Sequence, residues 1–123
     1  MPPLNLNRVF LAGFIASHPE LRFIPSGKAV AEFMLGIEPD DEGPSHSTEA
    51  QIFPVIAWEE LAVSCESALR PGDRVWVEGK LAVRSFRDSS DHICEICEIV
   101  AETVKKIDIR KKPRKRAEKK RKE

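Results

Sequence analysis

Apolar residues alternate with polar ones over most of this chain, and the two-residue period predicts strands. From Leu6 to Ile15 the run "LNRVFLAGFI" is rich in branched and aromatic residues until "ASHPE" breaks it, which predicts a first strand. Pro25, Ser26 and Gly27 then mark a tight turn into "AVAEFMLGI". There Ala29, Ala31, Phe33, Leu35 and Ile37 share one face of a second strand, read as the hairpin partner of the first. The stretch "EPDDEGPSHSTE" has five acids, no base and scattered Pro, Gly and Ser, the composition of a solvated loop.

A third strand is expected in "AQIFPVIAW". Ile52, Ile56 and Trp58 lie on one side and Phe53, Val55 and Ala57 on the other, so both faces are apolar. Pro54 cannot donate to a ladder, which assigns it to an edge or a bulge. In "EELAVSCESAL" the spacing changes: Leu61, Ser64, Cys65, Ala68 and Leu69 recur at helical intervals, and "RPGD" ends the helix. The clearest strand is "DRVWVEGKLAVRSF". Val75, Val77, Leu81 and Val83 share one face around Gly79, and Trp76, Lys80, Arg84 and Phe86 share the other. A glycine in mid-strand is expected at a bulge or sharp bend, the device by which a small barrel turns a corner. The last segment, "HICEICEIVAETVKKI", has the branched residues of a strand, but Ile93, Ile96, Val100 and Val104 recur at three and four, so its periodicity leaves helix and strand open.

The pattern describes an all-β domain: about five strands with one short helix between the third and fourth, as in a Greek-key barrel of the oligonucleotide-binding type (OB-fold). At 123 residues there is room for one core. Boundaries are expected at 1–109 for the domain and 110–123 for a disordered basic tail. The formal net charge of zero changes meaning once it is divided. From Lys105 onward twelve Lys or Arg meet three Asp or Glu, +9; residues 1–104 hold eight bases and seventeen acids, −9. No run approaches the ~20 apolar residues of a membrane span, and "MPPLNLNR" lacks the order of a secretion signal, so a cytoplasmic location and no membrane partner are expected. Three cysteines, Cys65, Cys94 and Cys97, fit reduced thiols rather than a disulfide framework.

Several short motifs occur in order: Asn7-Arg8-Val9, Pro19 to Phe23, Pro25 to Gly27, Trp58 before Leu61-Ala62, Leu69 to Gly72, and Val75 to Gly79. Over residues 5–107 they resemble the bacterial single-stranded DNA-binding protein (SSB) family. That resemblance implies a five-stranded OB-fold barrel, usually a homotetramer and otherwise a dimer, that coats single-stranded DNA without sequence preference or catalysis in replication, recombination and repair. It also implies a strand rather than a helix at 92–107. Such a site needs flat apolar rings on which bases stack, and Lys or Arg to follow the phosphates. By the resemblance the rings are Trp58, Trp76 and Phe86, and the phosphate contacts are Arg8, Lys28, Lys80, Arg84 and Arg87.

The departures are specific. Ile52-Phe53-Pro54 stands where the family often has Trp-His-Arg, the loop around Asp40, Asp41 and Glu42 is acidic, and the tail is basic where relatives usually carry an acidic hook for replication and repair proteins. These losses favour a second reading, a primosome-like assembly module with weak DNA affinity. Large aromatic residues in strands are also ordinary core, which is the competing account of Trp58 and Trp76. Cys94 and Cys97, three apart in a strand, point to opposite faces and do not converge with His92 on a metal. No metal, cofactor or catalytic residue is expected.

Overall fold

A computed structural model of the chain describes residues 4–39 and 49–107. The acidic residues Asp40, Asp41 and Glu42 and the tail at 110–123 lie outside the described residues. The elements are β1 (Val9–Ile15), β2 (Glu20–Phe23), β3 (Ala29–Ile37), β4 (Gln51–Trp58), α1 (Glu59–Ala68), β5 (Arg74–Arg87) and β6 (Ile93–Ile107).

Five of these strands close a ring in the order β1-β5-β6-β4-β3, completed where Phe14 and Ile15 of β1 pair with Gly36 and Leu35 of β3. All neighbours are antiparallel except β4 and β6, which meet in parallel at Val55–Ile99 and Ile56–Val100. This is the barrel expected from the pattern, with one addition. The four-residue β2 lies outside the ring and forms the hairpin with β3, so the immediate hairpin partner of β3 is β2 rather than the first strand. The turn between them is the expected one, closed by the Ile24 N–H to the Lys28 carbonyl at 3.1 Å and the Gly27 N–H to the Ile24 carbonyl at 2.8 Å. Pro54 sits where β4 has β3 on one side (Met34↔Pro54) and the β6 ladder has not yet begun, an edge position that spares its missing donor.

Inside the barrel lie Ile15, Ala31, Phe33, Leu35, Val55, Ala57, Val75, Val77 and Ile99, all essentially buried. These are the inward members of alternating strands, and α1 joins them through Ala62 and Cys65, with Leu69 just beyond. Burial pushes the Cys65 thiol up to about 11 from 9.0. A thiol raised in this way stabilises the fold fully below pH 9.0, and that contribution is lost as pH rises toward about 11, because the unfolded chain ionises first. A thiol-alkylating reagent at about pH 8 is therefore expected to label exposed Cys97 quickly and Cys65 only in denaturant. Equal labelling rates, read by mass spectrometry, would mean that the helix does not close the core.

Gly79 is at a bulge, as its place in the strand predicts. Glu78 pairs with Thr103 but Gly79 pairs with Ala101, so Glu102 is the extra residue on β6. β5 beyond this point, and β6 before its contact with β4 at Ile99, outrun the barrel. β1 pairs with β5 no further than Gly79, so residues 81–87 have only β6 beside them and the two strands project as an arm. Leu81 and Val83, on the same face as the buried Val75 and Val77, are consequently 47% and 64% exposed. Among the described residues no helix is long and apolar enough to cross a membrane.

Candidate nucleic-acid interface

Directly paired residues of neighbouring strands share a face, so the register shows which side chains stand together on the outside of the barrel. Trp58 and Ile56 are two apart on β4; Ile56 pairs with Val100 of β6, and Val100 pairs with Lys80 of β5. Along β5 the same face carries Trp76, Glu78, Lys80, Ala82, Arg84 and Phe86. Phe10 pairs with Glu78, which adds Phe10 and, two residues earlier, Arg8. One outer surface therefore holds all three expected rings together with Arg8, Lys80 and Arg84.

The rings are not core. Trp58 and Trp76 are each 37% exposed and Phe86 is 43% exposed. Trp58 ends β4 in extended conformation, and the next residue, Glu59, turns left-handed with φ 59° as the chain enters α1. That abrupt corner keeps the indole at the rim instead of letting it continue into the helix. Trp76 leans on Phe10 with ring centroids 6.2 Å apart, and its indole N–H donates to Glu78 Oε2 at 2.8 Å. Trp76 and Phe86 are ten positions apart, roughly 30 Å along a strand, so the surface is a long track and not a pocket.

Charge on this surface is mostly spoken for. Arg84 donates through Nε to Glu98 Oε1 at 3.0 Å and lies 3.8 Å from Glu32, which also receives Arg22. Glu98 is only 6% exposed, and its hydrogen bond and charge hold the Arg84 guanidinium proton more firmly than usual. Breaking this pair would leave a buried carboxylate alone, so Arg84 has a structural role beside any contact with a ligand. Arg8 pairs with Glu102 and lies 3.8 Å from Glu78, while its guanidinium stands 5.7 Å from the centre of the Phe10 ring. Lys80 makes no ion pair among the described residues.

Two expected phosphate contacts lie elsewhere. Arg87 pairs with Ile93 across the arm, on the face opposite Phe86, and bridges to Asp91 at 3.2 Å. Lys28 is at the exposed β2–β3 turn. At the arm's tip the N–H groups of His92 and Ser90 donate to Asp88 Oδ1 at 2.9 Å each; these bonds, with His92 the larger cause, hold the Asp88 carboxyl below the usual carboxylate range. Cys94 pairs with Phe86 and Cys97 with Val83, on opposite faces as their spacing requires.

Three outer-face residues were not among the expected contacts: Phe10, opposite Glu78, Arg22, opposite Val30, and Met34, opposite Pro54. The alternation of Arg8, Phe10 and Ala12 against Val9, Leu11 and Gly13 was the available signal for Phe10. Asn7 also has a definite task. Its amide donates to the Leu81 carbonyl and accepts from the Leu81 N–H, both at 2.9 Å, extending the β1–β5 contact by one side chain and locating Arg8 beside β5.

Residues 6–107, the span of the barrel and its arm, match the Single-strand binding protein family. The chain belongs to that family. Similar proteins include Single-stranded DNA-binding protein 2 of Listeria innocua, 31% identical over 105 residues, which cover 85% of this chain and 66% of the relative. Single-stranded DNA-binding protein A of Bacillus subtilis is 31% identical over 103 residues, 84% of this chain and 60% of the relative. The Single-stranded DNA-binding protein of Halalkalibacterium halodurans is 30% identical over 105 residues, 85% and 62% respectively. The matched part is thus less than two thirds of each relative.

Proposed function

We propose that this chain binds single-stranded DNA without base-sequence preference and without catalysis, in the cytoplasm, during replication, recombination and repair. The observation that carries the reading is the line of exposed rings on one outer face, Trp58, Trp76 and Phe86, with Lys80 and Arg84 between them. Bases of a single strand can stack on such rings, whereas duplex bases are already stacked on one another. The names of the relatives support the same ligand. The barrel, residues 1–109, is the binding domain in this reading, and 110–123 is a separate basic tail.

Self-association, as a tetramer or a dimer, is part of the proposal. Among the described residues, Val9–Gly13 pairs with β5 along one edge of β1, and the other edge has no strand beside it until Phe14. A row of open backbone groups there can be extended by a second copy, and light scattering reads the outcome directly.

The second reading, an assembly module with weak DNA affinity, is supported by the arginine–carboxylate pairs of the outer face. Titration with oligo-dT of increasing length separates the two, followed by anisotropy and tryptophan fluorescence as salt is raised. Single-strand binding requires quenching of Trp58 and Trp76 and an affinity that grows with length. No length-dependent binding at low salt would leave the assembly module as the function.

A further inference from the structure

The binding of a polyanion is driven largely by release of the small counterions that its phosphates had condensed. A guanidinium contributes fully only if it is not already neutralised by a carboxylate of the same chain. Five of the six arginines in residues 1–104 are so neutralised: Arg8, Arg22, Arg74, Arg84 and Arg87 each pair with Glu or Asp. A phosphate arriving there must displace a tethered carboxylate, which cannot diffuse away and remains as a like charge beside it. With residues 1–104 at −9, the barrel offers rings but little electrostatic attraction.

The missing charge is supplied beyond the last strand. Residues 110–122 contain ten Lys or Arg and one acid, Glu118. The fold delivers the chain to this segment at a useful place. β6 ends at Ile107 opposite Arg74, and Lys105 pairs with Trp76, so the chain leaves the last strand at the end of the barrel that carries the Trp76–Phe10 rings. Lys122 stands fifteen positions past Ile107, a length of chain that spans at most about 50 Å.

We propose that residues 110–122 are a second nucleic-acid-binding element, which holds phosphates whatever the strandedness and gives this protein an affinity for duplex DNA that the barrel does not supply. The reason is chemical. Stacking needs unpaired bases, but phosphates are equally present on single strands and duplexes, and duplex DNA carries the denser charge, about one per 1.7 Å of axis. The element goes beyond the single-strand reading and does not depend on the rings.

The test compares the full chain with a six-site variant carrying Arg110→Gln, Lys111→Gln, Lys112→Gln, Arg114→Gln, Lys115→Gln and Arg116→Gln. Each is titrated into a labelled blunt duplex and into labelled oligo-dT over a range of salt. The natural chain should bind the duplex at low salt and release it as salt rises. The variant should bind the duplex at least about tenfold more weakly, and its salt slope on oligo-dT should fall by about four, near 0.7 for each lost contact. A charge-keeping chain with Lys at the three arginines should retain duplex binding, and all chains should melt at the same temperature. The proposal is overturned if the natural chain has no duplex affinity at low salt, if the Gln variant keeps it, or if the slope on oligo-dT does not change. Failure of the single-strand reading looks different: oligo-dT would then leave tryptophan fluorescence unquenched while duplex binding still depended on residues 110–122.

Discussion

Replacing Trp58 and Phe86 together by Ala is expected to weaken binding of oligo-dT by about 2–6 kcal/mol, with each ring contributing about 1–3. The two sites suit a double substitution. Trp58 stands at the end of β4 and Phe86 on the projecting arm of β5, so they share no packing and their effects should add. Both rings are more than a third exposed, so truncation removes stacking surface without opening the core. Phe86 is the cleaner site, because the guanidinium that lies over its ring, that of Arg84 at 5.9 Å from the centre, is already held by Glu98. Anisotropy at fixed salt measures the loss, and urea denaturation checks that the fold is intact. An affinity within about 0.5 kcal/mol of the natural chain would remove these rings from the site. Arg84→Ala would be a poor substitute, since it leaves Glu98 buried without its partner and mixes destabilisation with lost binding.

The second large effect falls on the barrel. Gly79→Ala is expected to destabilise the fold by about 2–3 kcal/mol, through overpacking that side-chain rotation cannot relieve. A Cβ at this position would lie 2.2 Å from the Val100 carbonyl oxygen and 3.0 Å from the Ala101 Cα, both backbone atoms of the facing strand. The clash falls where β6 carries its extra residue, Glu102, and where β5 leaves the barrel wall for the arm. Relief means separating the two strands or giving up the bulge. Either course disturbs the Arg8–Glu102 pair and the alignment of Trp76 with Phe86. Chemical denaturation of the variant and the natural chain measures the difference; a cost below about 0.5 kcal/mol would show that the close approach can relax.

Much of this could be read in the residues. Alternation in β3 and β5 marked their inward faces, and Phe33, Leu35, Val75 and Val77 are buried as that alternation requires. The glycine of β5 announced its bulge. The segment that became β6 was ambiguous for a reason now visible: Ile96 and Val100, opposite Arg84 and Lys80, belong to the outer face, and Ile93 and Val104, opposite Arg87 and Val77, to the other, so apolar residues of both faces together recur at three and four. Local spacing of that kind imitates a helix. β2 was missed because four residues, Glu20–Phe23, are too few to show a period.

The exposure of Leu81 and Val83 could not be read locally. Their alternation matches that of Val75 and Val77, and only the length of β1 determines where the wall of the barrel stops. The rings, the order of the family motifs and the opposite charges of body and tail are properties of the chain itself, set by residue type and position. Which cations remain available is a different kind of property. Arg84 meets Glu32 across 52 positions and Arg8 meets Glu102 across 94, contacts that exist only after the strands have closed into a ring. Composition counts charges, but Coulomb attraction acts over a few ångströms, so folding decides which of them cancel.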